Sequence, residues 1–243
     1  MEKLIAKGIT VDFDGERIIE DISVTLNEGE IVSLLGVSGS GKTTLFNALS
    51  GLQPPLEGKV LLEGEDITGR PGKISYMLQK DLLLRHYKVI DNVSLPLVLK
   101  GMSRKKSREK AAPYFAQFGL EGTQEKYPHE LSGGMRQRCA LLRTYLTGSE
   151  VALLDEPFSA LDTLTKSAVH KWYLDIMKKI NLSTLFVTHD IDEAILLSDR
   201  VYILSGKPGR ITKEIVVDLP KPRSTLSDEF LFYKKLISSE IKD

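Results

Sequence analysis

Nine consecutive residues, Gly36–Thr44, have the residue types and spacing of a phosphate-binding loop. They read G-V-S-G-S-G-K-T-T and match the pattern G-x-x-x-x-G-K-[ST] at every defined position. Glycines allow successive backbone N–H groups to point at one anion, and a helix that starts behind the loop adds a partial positive charge. In such a loop the lysine reaches the β- and γ-phosphates and the next hydroxyl binds Mg²⁺. We therefore predict that Lys42 and Thr43 bind a magnesium nucleotide.

The flanking sequence has the context that this motif requires. Glu30–Leu35 is the apolar run of a buried parallel strand, and Lys42–Ser50 has helical character before a stop at Gly51. The alternative, a glycine-rich turn with a chance lysine, does not account for three glycines, a lysine and a threonine in register. The loop residues predicted to contact the nucleotide are Gly36, Val37, Ser38, Gly39, Ser40, Gly41, Lys42, Thr43 and Thr44.

Carboxylates and a histidine follow two further apolar runs. Glu150–Leu154 reads as a buried strand before Asp155 and Glu156, while the strand Ser183–Val187 precedes His189. A carboxylate at the end of a buried strand can hold the Mg²⁺ of a nucleotide, and the next carboxylate can orient or deprotonate an attacking water. A histidine at the same sheet edge can hydrogen-bond a γ-phosphate, although a lone histidine is usually structural. Glu156 and His189 are therefore predicted to be catalytic, and Asp155 is predicted to bind Mg²⁺.

A second helix start has the features of an anion site. Leu131–Arg138 (L-S-G-G-M-R-Q-R) opens a helix predicted to run to about Leu146, with Ser132 as its N-cap. Gly133 and Gly134 leave the first turn open to a close-approaching anion. Read alone, the segment is a capped helix start. Two such termini in one short chain require an explanation.

One aromatic residue, Phe13, lies beside the predicted hairpin turn Asp14-Gly15, between the strands Leu4–Phe13 and Ile18–Leu26. Its ring could stack on a nucleotide base, or it could belong to the core. The spacing leaves both interpretations open.

The composition excludes several classes of protein. The 243 residues include 33 lysines and arginines and 33 aspartates and glutamates, so the net charge is zero. The charge therefore gives no reason to expect binding to nucleic acid or to an acidic membrane surface. No apolar run approaches the ~20 residues needed to span a bilayer, and the N-terminus lacks a signal-peptide core.

Cys139 is the only cysteine, so a disulfide framework within the chain is excluded and we expect a buried thiol. The basic run Arg104–Lys110 lacks interleaved aromatics and is predicted to be a solvated helix face.

The overall pattern predicts an α/β protein with one domain over residues 1–243. Its core comprises about 1–85 and 149–219, a mostly helical section covers about 86–148, and a short tail, 220–243, holds an amphipathic helix at Asp228–Ile241. Within the core, Lys59–Leu62 and Lys73–Leu78 are predicted strands, and Gln79 follows the second. Thr163–Ile180 is a predicted helix.

With these motifs in this order, the chain resembles an ATP-binding cassette (ABC) ATPase over nearly its whole length. The resemblance implies a P-loop NTPase (RecA-like) core with an antiparallel β subdomain and a helical insert. It also implies ATP and Mg²⁺ as ligands. The resemblance assigns the Walker A loop to Gly36–Thr44, the signature motif to Leu131–Met135 and the D-loop to Ser159–Asp162. It makes Asp155 the Walker B aspartate, Glu156 the catalytic glutamate and His189 the switch histidine. Gln79 is then a further catalytic residue that binds Mg²⁺ and water, and Phe13 stacks on adenine.

Two positions depart from the usual family pattern. Met135 replaces the glutamine that commonly ends the signature, which removes a side-chain hydrogen bond. Phe13 stands where tyrosine is more frequent, but stacking needs only the ring. We expect activity to survive both changes.

Members of this family work as head-to-tail dimers, which would explain the second helix start. The resemblance implies that Ser132, Gly133, Gly134 and the D-loop residue Asp162 of one subunit close on the ATP held by the other. It further implies a peripheral protein on the cytoplasmic face of the membrane. Its partners would be a separate permease, contacting Gln79 and Asp81–Tyr87, and indirectly an external solute-binding protein, with no nucleic acid.

A finer resemblance concerns the solute. S-G-G-M-R-Q-R, D-E-P-F-S-A-L-D and the closing L-S-G-K-P-G-R-I…V-D-L-P-K-P-R are similar to the nitrate/sulfonate/taurine group of importers, which also handles pyrimidine and vitamin-precursor solutes. Two alternatives remain: a soluble ABC ATPase acting on nucleic acid or ribosomes, and a monomeric P-loop kinase.

Overall fold

The structure is a computed structural model that describes residues 1–159 and 161–241. The elements follow one another in chain order as β1 (Glu2–Phe13), β2 (Glu16–Asn27), β3 (Ile31–Leu35), α1 (Lys42–Leu49), β4 (Glu57–Leu62), β5 (Glu65–Asp66), β6 (Ser75–Met77), α2 (Val89–Leu99), α3 (Arg104–Ala111), α4 (Tyr114–Gln117), α5 (Gly133–Tyr145), β7 (Val151–Asp155), α6 (Thr163–Ile180), β8 (Ser183–Thr188), α7 (Ile191–Leu197), β9 (Arg200–Ser205), β10 (Arg210–Val216) and α8 (Asp228–Glu240).

Four strands form an antiparallel sheet in the order β2-β1-β4-β5. The two long strands meet at the predicted hairpin, where Asp14 and Gly15 both have positive φ, as a two-residue turn of this kind requires. Apolar side chains on one face of this sheet pack against α1 and the inner strands of the second sheet. The antiparallel subdomain predicted from the sequence is therefore present.

Six strands form the second sheet in the order β10-β9-β3-β8-β7-β6. All neighbours in it are parallel except β10, which runs antiparallel to β9. Every residue of β3, β7 and β8 is buried, which explains their continuous apolar runs. The carboxyl ends of β3, β8, β7 and β6 lie side by side at one edge, where ligands bind in sheets of this type.

The section between β6 and β7 is helical, as predicted. It contains α2 to α5 and a 3-10 turn at Pro128–Glu130, and the described residues from 86 to 148 form no strand. The basic run lies on α3 and is exposed apart from Ser107. Cys139 is fully buried in the cluster that joins this section to the large sheet, and burial raises the pKa of its thiol to about 12.

The tail is held against the large sheet by α8. Phe230 and Ile237 are buried beside residues of α7 and β10. The Arg223 guanidinium donates to backbone carbonyls of Ile195, Ser198, Val217 and Leu219. Among the helices that the structure describes, none combines the length and apolarity needed to cross a membrane.

Candidate nucleotide site

The loop 36–44 is packed so closely that two of its glycines cannot be replaced without displacement. A Cβ on Gly36 would lie 2.4 Å from the carbonyl oxygen of Leu204, and one on Gly41 would lie 2.3 Å from a methyl carbon of Ile19. Gly41 also has a φ of +96°, which L side chains rarely adopt. It precedes α1 and provides no side-chain cap, so the first N–H groups of this helix remain available for an anion.

The loop also places a cation beneath the helix terminus. Lys42 Nζ donates to the carbonyl oxygens of Gly36 (2.9 Å) and Val37 (2.7 Å). Burial lowers the pKa of Lys42, while the charges of Glu156 and Asp155 act in the opposite direction. The hydroxyl of Ser40 is buried and has no hydrogen-bond partner within the described part of the chain. A bound anion would accept hydrogen bonds from the first N–H groups of α1 and from Ser40, and would balance the charge of Lys42.

The side chains predicted to hold Mg²⁺ lie beside this loop. Asp155 is the last residue of β7 and is 7% exposed, and Thr43 Oγ1 donates to its carboxylate at 3.3 Å. Burial raises the pKa of Asp155, the Thr43 hydrogen bond opposes that rise, and the charge of Glu156 adds to it. Burial and the same carboxylate raise the pKa of Tyr76, a neighbour that sequence reasoning missed.

These residues fit a magnesium ion that arrives with a nucleotide. No group of three or more His, Cys, Asp or Glu side chains among the described residues could hold a metal by itself. Mg²⁺ in nucleotide sites takes only one or two protein ligands, with phosphates and waters completing the shell. The adjacent hydroxyl of Thr43 and carboxylate of Asp155 match that requirement. The ion would neutralise charge on the phosphates during transfer.

Three predicted catalytic residues meet at the carboxyl edge of the large sheet. Gln79 Nε2 donates to one carboxylate oxygen of Glu156 at 2.9 Å, and His189 Nδ1 lies 3.4 Å from the other. The backbone N–H of Glu156 donates to the Val187 carbonyl, and its φ is 43°. A left-handed conformation at a residue other than glycine is a local strain of the kind found at functional sites. Gln79, predicted as a Mg²⁺ ligand, therefore contacts the candidate base.

The signature residues lie apart from this cluster. Ser132 Oγ accepts from the Met135 N–H at 3.3 Å and caps α5 as predicted. Gly134 permits α5 to approach α6, because a Cβ there would lie 3.1 Å from a methyl carbon of Thr165. Within the residues that the structure describes, no hydrogen bond or ion pair joins Ser132 or either glycine to the loop 36–44. One chain therefore contains two separate helix N-termini that could bind an anion. We call the N-terminus of α1, with the loop 36–44, the α1 mouth, and the N-terminus of α5, with Ser132, the α5 mouth.

The remaining predicted contacts lie at two loops. Phe13 is 65% exposed, so of the two interpretations left open by the sequence the structure excludes a core residue, and the ring is accessible for stacking. Asp162 caps α6 by accepting from the Thr165 N–H at 3.1 Å. Within the predicted D-loop, Ser159 Oγ donates to the Glu156 carbonyl, while Ala160 lies outside the described residues.

Sequence reasoning missed the side chains that hold the segment after Gln79. Arg143, on α5, donates to the carbonyls of Asp81 and Leu82, and the φ of Leu82 is 44°. The buried amide of Asn92 contacts the backbone of Leu84 on both sides. An arginine inside the apolar stretch of a helix was the available signal. Beside this segment lies an open groove of about 400 Å³, lined by Asp81, Leu83, Arg85, Pro128, His129 and Arg136.

Comparison with known proteins identifies the family of this site. A sequence profile described as ABC transporter matches residues 19–159, from β2 to the D-loop. The chain belongs to this ABC transporter family.

Three ABC import proteins are similar in sequence to this chain over most of its length. The formylaminopyrimidine import ATP-binding protein ThiZ of Halalkalibacterium halodurans is 47% identical over 191 residues, 79% of this chain and 74% of that protein. The aliphatic sulfonates import ATP-binding protein SsuB of Bacillus cereus is 38% identical over 226 residues, 93% and 89% of the two chains. The nitrate import ATP-binding protein NrtD of Synechocystis sp. is 37% identical over 233 residues, 92% and 88%.

Solved structures agree with this assignment. The dimeric structure of the ABC transporter cassette MJ0796 has a TM-score of 0.76 at 27% identity, and covers 89% of this chain and 100% of that one. A post-hydrolysis dimer of the same cassette, bound to ADP and Pi, has a TM-score of 0.74 at 28% identity with the same coverage. The predicted P-loop NTPase fold, nucleotide binding and ATPase class are thereby confirmed for this ABC chain.

Proposed function

We propose that this chain is the ATP-hydrolysing subunit of an ABC importer and powers solute uptake through a separate membrane permease. The import ATP-binding relatives support this assignment. They also support a solute of the nitrate, sulfonate or pyrimidine-precursor type, in line with the sequence resemblance. The observation that carries the hydrolytic role is the contact of Gln79 and His189 with Glu156, beside the Thr43–Asp155 pair.

The proposed chemistry divides the work among these side chains. The backbone of the loop 36–44 and Lys42 bind the phosphates, and Thr43 and Asp155 hold Mg²⁺ with Gln79 as a further ligand. Glu156 orients the attacking water and accepts its proton, a role for which a carboxylate at a strand end is suited. His189 donates to the γ-phosphate, and the exposed ring of Phe13 stacks on adenine.

The proposed active unit is a head-to-tail homodimer formed on ATP. In it, Ser132, Gly133 and Gly134 of one subunit contact the γ-phosphate bound by its partner, and Asp162 approaches the same site. The exposure of Ser132 and its separation from the loop of its own chain support this arrangement. The related cassette MJ0796, which has been solved as a dimer, supports it as well.

The proposed permease contact is the groove beside Gln79 and the segment Asp81–Tyr87. This segment carries exposed apolar side chains at Leu82 and Leu84, which favours a protein partner. We place the subunit at the cytoplasmic face of the membrane, with an external solute-binding protein as an indirect partner. In the proposed division, the core covers about 1–85 and 149–219, the helical subdomain about 86–148 and the tail 220–243.

The two alternatives have less support. A soluble ABC ATPase that acts on nucleic acid needs a basic surface to bind the phosphate backbone. This chain has no net charge, and its basic run lies on one short exposed helix. A monomeric kinase would leave the capped mouth of α5 without a role.

The substitution Glu156→Gln tests the proposal. Losing the base should slow ATP hydrolysis by at least about 100-fold while ATP binding persists. With hydrolysis blocked, an ATP-bound dimer should accumulate on size-exclusion chromatography with light scattering. The exposed Glu57→Gln is a matched control that should leave turnover unchanged. Unchanged turnover in Glu156→Gln would remove this residue from the mechanism, and a monomer in saturating ATP would contradict the dimer.

A further inference from the structure

A cluster of charged side chains lies between α6 and α7, directly behind His189. Lys166 Nζ lies 2.8 Å from Asp190 Oδ2 and 2.5 Å from Glu193 Oε1, and His170 Nε2 lies 3.5 Å from the same Glu193 oxygen. Glu193 is only 4% exposed. We call Lys166, His170, Asp190 and Glu193 the α6–α7 charge cluster. None of the four has a role in the hydrolysis described above.

The charge cluster holds the residue on each side of His189. Thr188 Oγ1 donates to Glu193 at 2.6 Å and accepts from the Asp190 N–H at 3.0 Å. Asp190 Oδ1 accepts from the N–H groups of Asp192 and Glu193, and so caps α7. Both neighbours of His189 are therefore fixed by hydrogen bonds. The imidazole itself is 58% exposed and its one ion-pair contact among the described residues is with Glu156.

The charges of this cluster are better suited to fix the positions of side chains than to stabilise the fold. Burial alone would raise the pKa of Glu193, but the nearby His170, the Lys166 ammonium and the hydrogen bond from Thr188 hold this pKa below its ordinary value. The carboxylate is therefore ionised, and Lys166 supplies its compensating charge. A buried ion pair contributes little net stability compared with apolar residues of the same size, although breaking it is costly. A fixed geometry is the property that such a pair provides.

The charge cluster lies between two helices, α6 and α7, and each of them follows a loop of the candidate site. Lys166 lies one turn into α6, which begins directly after the D-loop at the Asp162 cap. Asp190, directly after His189, is the N-cap of α7, and Glu193 lies in the first turn of that helix. The charge cluster thus joins the helix behind the D-loop to the helix behind the switch histidine.

We infer that Lys166 is a positioning residue for His189, acting through Asp190 and Glu193 to hold the imidazole at Glu156 and the γ-phosphate. This inference rests on the role proposed above for His189. Without the ammonium group, Asp190 and Glu193 lose their 2.8 Å and 2.5 Å contacts with α6, and the 3.5 Å approach of His170 to Glu193 is left. The imidazole then samples orientations that do not serve the reaction, while the loop 36–44 is unchanged.

The first test compares turnover and affinity in full-length variants. Lys166→Met should lower kcat for ATP hydrolysis by about 10-fold, as expected for a misplaced catalytic group, with no change in the KM for ATP. Lys166→Arg keeps the charge and should retain most of the turnover. Lys171→Met, an exposed lysine on the same helix, is the matched control. Wild-type kcat in Lys166→Met would overturn the inference.

The second test separates positioning from a general loss of structure. His189→Ala should lower kcat, and Lys166→Met added to it should cause no further loss, because the group that it positions is already absent. An additional 10-fold loss would mean that Lys166 acts elsewhere, and would overturn the inference. If Lys166→Met does not fold, Glu193→Gln, which retains an acceptor for Thr188, replaces it in the same cycle.

The outcome for His189→Ala alone separates failure of the inference from failure of the proposed function. If His189→Ala is impaired and Lys166→Met is not, the inference fails and the proposed function stands. If His189→Ala hydrolyses ATP at the wild-type rate, the proposed role of His189 fails, and the inference fails with it.

Discussion

The two helix mouths of this chain are built in opposite ways. The mouth of α1 is preceded by Gly41, has no side-chain cap, and is surrounded by the buried Lys42 and Asp155 and the exposed hydroxyl of Thr43. The mouth of α5 is capped by the exposed hydroxyl of Ser132. The first leaves its N–H groups for an anion and adds a cation, whereas the second satisfies one of its own N–H groups, and the nearby Arg136 guanidinium already contacts the Leu131 carbonyl and Asp81.

The difference indicates a division of labour. The α1 mouth has enough charge and donors to bind triphosphate with residues of one chain, which is the proposed primary site. The α5 mouth is the weaker anion site, because a helix terminus supplies only about half an elementary charge and the nearby Arg136 is already paired with Asp81. It is suited to recognise a phosphate that is already bound elsewhere. Loss of the first mouth should therefore abolish binding, and loss of the second should abolish only the later steps, dimer closure and hydrolysis.

The largest expected effect is on nucleotide affinity. Lys42→Ala removes the only ammonium group in the loop and should weaken ATP binding by at least about 100-fold, since a charge-assisted contact to phosphate is lost. Equilibrium titration with a fluorescent ATP analogue measures the change. Lys59→Ala, an exposed lysine on β4, is the control. Retained affinity would contradict the assignment of the α1 mouth as the primary site.

The α5 mouth should give the opposite result. Ser132→Arg places a bulky side chain where the partner's phosphate is proposed to lie, so hydrolysis should fall by about 100-fold, as when one transition-state donor is removed. ATP affinity at low protein concentration should stay unchanged. Ser238→Arg, an exposed serine on α8, controls for the added charge. Normal hydrolysis by Ser132→Arg would favour the monomeric kinase.

Mixing these two inactive variants should restore part of the activity. In a head-to-tail dimer of Lys42→Ala with Ser132→Arg, the intact loop of the second subunit faces the intact Ser132 of the first. One complete site forms in each mixed dimer, so hydrolysis should exceed the sum of the separate variants. Mixing Lys42→Ala with a chain that carries both changes provides no complete site and is the control. The absence of recovery would contradict a composite site.

Local sequence predicted the parts of the site that depend on local rules. The loop glycines, the Ser132 cap and the buried strands follow from backbone geometry and hydrophobic runs, and the structure has them where expected. Lys166 and Glu193 are 27 positions apart in the chain and become neighbours only when α6 and α7 pack together. No periodicity records such a pairing, so sequence reasoning missed it.

Phe13 and Glu156 illustrate the same limit. An aromatic residue at the end of a strand has the same local pattern whether its ring faces the core or the solvent, and only the packed sheet shows that Phe13 is exposed. The left-handed backbone of Glu156 is not a preference of glutamate. It occurs where β7 ends beside β8, with the Glu156 N–H bonded to the Val187 carbonyl, a contact between strands far apart in the chain.

The smallest expected effect concerns stability, and it again separates the two mouths. Burial raises the pKa of Asp155, which means that its ionised form destabilises the folded, nucleotide-free protein. Asp155→Asn removes that charge and leaves an acceptor for Thr43, so the Tm at pH 7 without nucleotide or Mg²⁺ should rise by about 2–4 °C. Ser132→Ala removes a helix cap and should lower the Tm by a similar amount.

Acidification should distinguish these two stability effects. The destabilisation by Asp155 is complete only above its raised folded-state pKa and disappears as the pH falls through that value towards the ordinary aspartate pKa of about 3.9. The Tm gain of Asp155→Asn should therefore shrink at low pH, whereas the loss in Ser132→Ala should not depend on this titration. Differential scanning calorimetry across the acid range measures both. A gain independent of pH would mean that Asp155→Asn acts through packing, and the α1 mouth would then carry no electrostatic cost for its function.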